Sequence, residues 1–452
     1  MTLRLLTALE PRHEAGIVAA LGAVPGAQLV RRCPDLADLI AASSAGLADV
    51  ALVSSRMRGL DRDGLAQLTE AGVRVVGVVD DDEAEERRLR QLGVAQIVGA
   101  DGAPDELAVV LERLGTAAAS ADPGRADPKR VDPARAGPAV SEFAAVEAGL
   151  PLPPQAAGED EEAAEPAGRI IAVWGPTGAP GRTSVAVNLA AELALQERSV
   201  LLIDADTYGA CVGQVLGLID EAPGIAAAAR TAELGTLDLP TLARLAPVVD
   251  PGFRVLTGLP SSGRWPEVRA DSMNHILELA RRMAEIVVVD CGFCIEDDEE
   301  LSYDTRAPRR NAATVATIAA ADEILAVGAG DPVGLQRLVR AIQELSRVSA
   351  HPPRIVVTRV RASVAGGAPE RRVAEVLDRF AGVRVDVVIP DDRAGFDRCL
   401  MSGRLLYDVA PKSPARARLR TLATSLAEGC TEAAPGRAGR IRAAARGRRL
   451  RR

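Results

Sequence analysis

The chain has 452 residues, of which 48% are hydrophobic and only 2% aromatic, and its net charge is −8 at pH 7. This length predicts roughly two or three domains, and their cores must be built from Ala, Val and Leu. No run of about 18 uncharged apolar residues and no basic-then-apolar start is present, so we expect neither a membrane span nor a signal peptide. Six scattered cysteines are typical of free thiols in a reducing compartment. We therefore expect a cytoplasmic protein.

Residues 1–115 alternate between strand and helix patterns, which predicts a doubly wound parallel sheet. The five strand patterns span residues 3–6, 27–30, 49–53, 73–79 and 95–98. The segment resembles a response-regulator receiver domain, most clearly at residues 49–57. A receiver would carry its phospho-acceptor aspartate at Ser54 and its lysine near Gly99, and of its first acidic pair only Glu10 remains. Without an acceptor carboxylate there is no nucleophile, so we interpret this domain as a pseudo-receiver that docks other surfaces.

Residues 116–167 are rich in Ala, Pro, Gly and acidic residues and contain few large apolar side chains. This composition cannot bury enough surface to fold by itself, so it predicts a flexible, disordered linker. The fold class that we expect is α/β, with two doubly wound parallel-sheet domains joined by this linker. The second domain would span residues 168–430, and residues 431–452 would form a basic, disordered tail.

The second domain begins with a strand pattern at 169–173, a Gly/Pro-rich turn and a helix pattern at 185–193. This arrangement is typical of a phosphate-binding loop, whose backbone N–H groups and helix N-terminus surround phosphate oxygens. Thr183 stands where the loop hydroxyl would bind Mg²⁺. Two positions depart from the strict pattern, because Pro176 replaces a glycine and Arg182 replaces the lysine. The alternative is an ordinary Gly/Pro-rich connection, since such patterns match loosely.

Two further apolar strand patterns end in carboxylates. Residues 199–203 lead into Asp204 and Asp206, and residues 285–289 lead into Asp290. The carboxyl ends of parallel strands meet at one edge of the sheet, where ligands bind. A carboxylate at that edge, opposite a phosphate loop, is where P-loop enzymes hold Mg²⁺.

Residues 168 to about 427 resemble the MinD/ParA family of P-loop ATPases, and within it the CpaE/TadZ branch of pilus-assembly and septum-site proteins. The resemblance is carried, in the family's order, by the loop and by residues 188–190, 201–206, 320–327, 388–392, 403–406 and 410–414. It implies ATP and Mg²⁺ as cofactors, with Thr183, Asp204 and Asp290 at the metal. It also implies catalytic roles for Arg182 and for Asp206, which would position the attacking water. The implied nucleotide contacts are Gly175, Thr177, Gly178, Ala179, Gly181, Arg182, Thr183, Ser184, Arg359 and Pro390.

Departures from the family pattern weaken the expected chemistry. The family's signature lysine, which crosses the dimer interface to the partner's phosphates, falls on Thr177, and the loop lysine falls on Arg182. Arginine keeps the charge but is a planar fork, so this exchange is not conservative at a phosphate. Compositional drift is the alternative explanation, because the chain has 52 Arg and 2 Lys. CpaE/TadZ-like members often have degenerate loops and carry a receiver-like domain ahead of the ATPase, which favours that branch.

The resemblance implies an ATP-binding protein with weak or slow hydrolysis that positions or helps to assemble a pilus, secretion or cell-division apparatus. A nucleotide-dependent homodimer and protein partners within such a complex are expected with it. A DNA-partition ATPase is one alternative, and the basic tail favours it. A scaffold that no longer binds nucleotide is another, against which the retained Asp204, Asp206, Asp290 and Thr183 argue.

The tail contains eight arginines in residues 431–452 and only Ile441 and Leu450 as bulky apolar residues. This pattern does not favour a membrane-inserting amphipathic helix. It favours a disordered arm attracted to DNA or to anionic lipid headgroups, which would place the protein peripherally at the inner face of the plasma membrane. A purely solubilising tail is the alternative.

Deleting residues 431–452 should leave nucleotide affinity unchanged and abolish binding to DNA or to anionic vesicles. Binding by the full chain should fall steeply with salt, because arginines that contact phosphates displace counterions. Vesicle sedimentation and DNA mobility shifts over a salt series measure both effects. Binding that survives the deletion, or that does not depend on salt, would show that the tail is not the contact.

Overall fold

The structure is a computed structural model that describes residues 2–80, 82–101, 104–119, 168–218, 224–296 and 308–431. Most of the predicted linker and nearly all of the predicted tail therefore lie outside the described residues. The two parallel-sheet domains that the sequence predicts are both present. Among the described residues, no helix is long and apolar enough to cross a bilayer.

The N-terminal domain is an alternating β/α unit with a parallel five-stranded sheet of order β2-β1-β3-β4-β5. This is the flavodoxin-like doubly wound order, and the five predicted strands are confirmed. The last helix extends four residues beyond the predicted domain boundary at residue 115. The elements are β1 (Leu3–Ala8), α1 (Pro11–Ala23), β2 (Ala27–Arg32), α2 (Leu36–Ser44), β3 (Val50–Ser54), α3 (Arg62–Glu70), β4 (Arg74–Val79), α4 (Glu83–Leu92), β5 (Gln96–Gly99) and α5 (Pro104–Ala119).

Polar residues at the carboxyl edge of this sheet are already paired with one another. Ser54 is buried at the end of β3, where the sequence places the position of a phospho-acceptor. Arg12 donates to Glu10 at 2.6 Å and to Asp80 at 2.7 Å. Gly99 ends β5, so the position expected for a lysine carries no side chain. The edge therefore has a hydroxyl, that of Ser54, where a receiver would have its nucleophilic carboxylate. The two nearby acids, Glu10 and Asp80, are both paired with Arg12.

Incubation with acetyl phosphate should leave residues 1–115 unmodified, because Ser54 cannot form an acyl phosphate. Intact-mass measurement and hydroxylamine lability test for the modification, with a functional receiver treated in parallel as the positive control. A hydroxylamine-labile phosphoryl group on this domain would contradict the pseudo-receiver interpretation.

The second domain is built on an eight-stranded sheet of order β13-β12-β11-β6-β10-β7-β9-β8, in which only β8 runs antiparallel to its neighbour. A short 3₁₀ turn spans Ser262–Glu267. Its elements are β6 (Arg169–Trp174), α6 (Arg182–Leu195), β7 (Val200–Ala205), α7 (Val212–Val215), α8 (Gly224–Glu233), α9 (Leu239–Leu245), β8 (Val248–Asp250), β9 (Phe253–Leu256), α10 (Ala270–Met283), β10 (Ile286–Cys291), α11 (Ala312–Ala320), β11 (Glu323–Ala329), α12 (Pro332–Leu345), β12 (Arg354–Val360), α13 (Ala362–Ala365), α14 (Pro369–Ala381), β13 (Val385–Pro390), α15 (Arg393–Ser402), α16 (Leu406–Val409) and α17 (Pro414–Thr431).

Helices cover both faces of this sheet, which makes it doubly wound. Helices α8 to α12 and α14 pack on one face, and α6, α7 and α15 to α17 pack on the other. The central strands β6, β7 and β10 are buried along almost their whole length, which explains their continuous apolar sequence.

Helix α6, which follows the candidate phosphate loop, is buried in the core and is held by contacts from several sides. Residues 185–193 are all buried. Asn188 Oδ1 accepts the backbone N–H of Leu406 at 3.1 Å, and Arg416 on α17 donates to the buried Glu192 at 2.6 Å. These contacts explain why polar Asn and Glu are tolerated inside an apolar helix, and they fix the N-terminus of α6 relative to the sheet.

The two domains contact each other through α3 and α4 of the first and the end of α8 of the second. Arg88 donates to the carbonyl of Leu234 at 3.0 Å, and Arg62 donates to the carbonyl of Ala232 at 3.3 Å. Asp63 pairs with Arg269. The contact is therefore polar and uses arginines to satisfy the carbonyl groups at the end of a helix.

Candidate functional site: a phosphate loop facing buried carboxylates

The loop between β6 and α6 requires glycine at two positions. Gly178 and Gly181 have φ angles of +67° and +102°, in the left-handed region that favours glycine. The carbonyl of Pro176 accepts the N–H of Ala179 at 3.0 Å. Pro176, which stands where the strict pattern has a glycine, therefore forms part of a turn. The loop thus keeps a tight, amide-rich turn before a helix N-terminus, which is the arrangement that binds phosphate.

Arg182 and Asp206, the predicted catalytic residues, contact each other. The Arg182 side chain is 15% exposed and donates to the carbonyl of Gly175 at 2.9 Å and to Asp206 Oδ2 at 3.2 Å. Asp206 Oδ1 accepts the backbone N–H groups of Tyr208 and Gly209. The loop cation is therefore neutralised within the protein, and the carboxylate predicted to orient water is engaged by it.

Thr183 and Asp290 form the shortest link between the loop and the sheet edge. Thr183 Oγ1 donates to Asp290 Oδ2 at 2.6 Å. The other oxygen, Asp290 Oδ1, is buried and has no hydrogen-bond partner among the residues that the structure describes. Burial, and then the charge of Asp204, raise the pKa of Asp290 well above its usual value. A buried acceptor of this kind is costly unless a proton or a cation satisfies it.

The donors at this edge fit Mg²⁺. A hydroxyl and a carboxylate are the hard oxygen ligands that Mg²⁺ prefers, and Mg²⁺ commonly uses one or two carboxylates together with phosphates and water. Within the described ranges, no group of three or more His, Cys, Asp or Glu residues forms a metal site by itself. Thr183 and Asp290 would therefore hold Mg²⁺ together with nucleotide oxygens, and the ion would supply charge neutralisation at the phosphates.

Asp204, the third predicted metal residue, has a different environment. Its Oδ1 accepts the N–H of Asp206 at 3.2 Å and its Oδ2 accepts the N–H of Val212 at 2.9 Å. Burial raises its pKa to about 7. Asp204 thus holds the segment that follows β7, and its role at the metal stays a prediction.

A cleft of about 260 Å³ opens beside the loop between α6 and the ends of β12 and β13. Gly181, Ser184, Arg359, Pro390 and Phe396 all line it. Arg359 has φ +53°, an uncommon left-handed conformation for a non-glycine residue and one that is often associated with functional sites. The structure therefore brings residues predicted from distant segments to one cavity next to the phosphate loop.

Three residues near the site have no sequence signal that would identify them. The Cys211 sulfur lies 3.6 Å from Thr183 Oγ1. The Arg310 guanidinium lies 3.7 Å from the centre of the ring of Tyr208, which is two residues after Asp206 in the chain. Arg337 donates to the tip of the phosphate loop. Arg310 and Arg337 reach the site through folding of segments that are distant in sequence, whereas Cys211 lies on the segment that follows β7.

The geometry agrees with a family assignment. Residues 171–398, just over half of the chain, match the family model described as CobQ/CobB/MinD/ParA nucleotide binding domain. This chain belongs to that family. The matched range begins in β6, contains the loop and the three carboxylates, and ends in α15.

The antiactivator FleN of Pseudomonas aeruginosa is 28% identical over 267 residues, covering 56% of this chain and 85% of FleN. A ParA family ATPase from Chlorobium tepidum is 18% identical with a TM-score of 0.48, covering 57% of this chain and 99% of that one. The septum site-determining protein MinD of Pyrococcus horikoshii, solved with Mg-ADP, is 17% identical with a TM-score of 0.47, covering 59% and 99%.

Asp290→Asn should make the nucleotide-free protein more resistant to heat. The folded-state pKa of Asp290 is raised, so its carboxyl group favours folding below the unfolded-state pKa and opposes it increasingly as pH rises. The melting temperature should therefore rise by a few degrees at about pH 8 and change little at about pH 4. The same variant should lose the stabilisation that Mg²⁺ and ATP give to the wild type.

Scanning calorimetry with and without Mg²⁺ and ATP measures both effects. Asp206→Asn is the matched control, and it should lower the melting temperature because it removes the partner of the largely buried Arg182. A lower melting temperature for nucleotide-free Asp290→Asn would contradict the interpretation of Asp290 as a carboxylate that lacks a cation.

Proposed function

We propose that this protein binds ATP with Mg²⁺ at the phosphate loop and hydrolyses it slowly. The observation that carries the proposal is the 2.6 Å contact of Thr183 with Asp290, whose second oxygen is buried without a described partner. The adjoining cleft supports it, because Arg359 and Pro390 line a cavity next to the loop that is suited to the nucleoside.

The Arg182–Asp206 ion pair supports slow turnover. Phosphoryl transfer depends on cations placed against the oxygens of the transferred phosphoryl group and on an oriented water. Here the loop cation is shared with the carboxylate that would orient the water. While the two are paired, Arg182 is not free to contact phosphate and Asp206 is not free to orient water. Nucleotide binding must therefore separate them before hydrolysis.

At the level of the cell, we propose a MinD/ParA-like role in positioning or assembling a pilus, secretion or division apparatus, through a nucleotide-dependent homodimer and protein partners. The N-terminal domain supports this role, since its pseudo-receiver edge is suited to docking rather than phosphotransfer. Association of the basic tail with DNA or anionic membrane is part of the same proposal, and residues 432–452 lie outside the described residues.

A scaffold that binds no nucleotide is the second candidate function. The observation that favours it is again the Arg182–Asp206 pair, because a loop whose cation is internally neutralised can persist without phosphate. The unpartnered Asp290 oxygen argues against it, since a structural site gains nothing from a buried carboxylate without a cation. A DNA-partition ATPase shares the nucleotide chemistry proposed here and differs in the partner that the tail would bind.

Calorimetric titration of the wild type should show ATP binding that requires Mg²⁺, and steady-state turnover should be very slow. Arg182→Ala should weaken binding at least about tenfold, because a charge-assisted contact to phosphate is lost. Asp206→Ala should tighten binding by freeing Arg182, and should slow turnover further. Arg244→Ala, on α9 and outside the site, is the control and should match the wild type.

The outcomes separate the candidates. Brisk turnover by the wild type would show that Arg182 fully replaces lysine and would contradict the proposed slow site. The absence of any ATP binding by a folded protein would favour the scaffold. Equal affinities in the wild type and in Arg182→Ala would remove the loop from the nucleotide site.

A further inference from the structure

Arg337 places a guanidinium against the tip of the phosphate loop. Its Nη1 donates to the carbonyl oxygen of Thr177 at 3.3 Å. It also lies so close to Gly178 that a Cβ atom on that residue would overlap Nη1. The guanidinium therefore fills the space beside the left-handed turn at Gly178, in contact with a loop whose own arginine is engaged elsewhere.

Most of the donors of Arg337 are uncommitted. The side chain is exposed, and the carbonyl of Thr177 is its one hydrogen-bond partner among the described residues. No described carboxylate forms an ion pair with it. A guanidinium has five N–H donors, so Arg337 can bind several oxygens of an anion at the loop. Arg182 differs, since it is largely buried and already bound to Asp206.

Helix α12 holds Arg337 at this place. Asp331 caps the helix by accepting the N–H groups of Val333 and Gly334, and Leu335 and Leu338 are buried against the sheet on either side of Arg337. Strand β11, which leads into α12, pairs with β6, which leads into the loop. The cation is thus carried by a packed helix next to the loop, which positions it more accurately than a mobile loop would.

We propose that Arg337 is a catalytic residue, an arginine finger supplied by the same chain to the γ-phosphate. This inference rests on the ATP hydrolysis proposed above. In that step water adds to the γ-phosphorus and the bond to the β–γ bridging oxygen breaks. ADP leaves with the bonding electron pair, and the proton released by water goes to the departing phosphate. Arg337 donates hydrogen bonds to the γ-phosphoryl oxygens, where negative charge must be stabilised.

A purely structural role makes different predictions from a catalytic one. If Arg337 only braces the loop, its hydrogen-bonding geometry matters and its charge does not, so Arg337→Lys should fail as Arg337→Gln does, and a cation supplied by Thr177→Lys should restore neither property. If its charge acts on phosphate, Arg337→Lys should retain part of the function and Arg337→Gln should lose it. Thr177 is exposed beside Arg337, so Thr177→Lys supplies a second cation at the loop, where the resemblance places the lysine that crosses to a partner's phosphates.

The experiment compares the wild type, Arg337→Gln, Arg337→Lys, Thr177→Lys/Arg337→Gln and the control Arg340→Gln, an exposed arginine one turn further along α12. Single-turnover hydrolysis of labelled ATP measures the chemical step even where steady-state turnover is slow. Retention of ADP with aluminium fluoride and Mg²⁺ measures affinity for a mimic of the transferring phosphoryl group. Titration with a non-hydrolysable ATP analogue measures ground-state binding.

Arg337→Gln should slow single-turnover hydrolysis by about 10³-fold, as expected for loss of an arginine finger. It should also release the aluminium fluoride complex while changing affinity for the ATP analogue less than about tenfold, since the contact strengthens as charge develops. Thr177→Lys should restore part of both properties, and Arg340→Gln should match the wild type.

Wild-type hydrolysis and aluminium fluoride retention in Arg337→Gln would overturn the inference and leave ATP binding intact. Failure of Thr177→Lys to restore either property, together with loss in Arg337→Lys, would assign Arg337 to bracing the loop. Absence of ATP binding in the wild type would overturn the proposed function and this inference with it, so the two failures are distinguishable.

Discussion

The contact between Thr183 and Asp290 is the constraint on which the site depends. It exists because β10 pairs in parallel with both β6 and β7, with Asp290 opposite Val173 and Asp204. The loop after β6 and the carboxylates of β7 and β10 must then meet at one edge. This arrangement buries three carboxyl groups at one edge, where Asp206 pairs with Arg182 and Asp290 Oδ1 has no described partner, so the edge is suited to a further cation. The position of the candidate site follows from strand order before any individual loop contact is considered.

The unusual composition of the chain suits this arrangement. Helix α6 lies between the sheet and α17, and its buried side chains include Ala186, Ala190 and Ala191. Small residues let a helix approach its neighbours closely without overpacking. The helix end that bears Thr183 is therefore held firmly, and residues 185–193 bury apolar surface that offsets the cost of placing Asp204 and Asp290 in the interior.

The strands, the loop and the carboxylates of the site could be predicted from the sequence, and the residues that fold against them could not. Strands β6, β7 and β10 are continuous apolar runs that end in a glycine-rich turn or in Asp, so local pattern and strand order determine where Thr183 and Asp290 go. The contact of Arg337 with Thr177 joins segments 160 residues apart. Nothing marks Arg337 among 52 arginines, because its proximity arises from the packing of α12 beside β11. The same limit applies to the Arg310–Tyr208 contact, which also joins segments that are distant in sequence.

Arginine at position 182 has a physical use that lysine would not serve. Its planar fork reaches the carbonyl of Gly175 and the carboxylate of Asp206 at once, whereas an ammonium group is a compact point charge. The two directed bonds tie the start of the loop to the end of β7, so they hold the shape of the loop at the expense of free positive charge. In the inference drawn above, Arg337 supplies from outside the loop the free positive charge that Arg182 lacks while it is paired with Asp206. For the function proposed above, such a site favours holding nucleotide over turning it over rapidly.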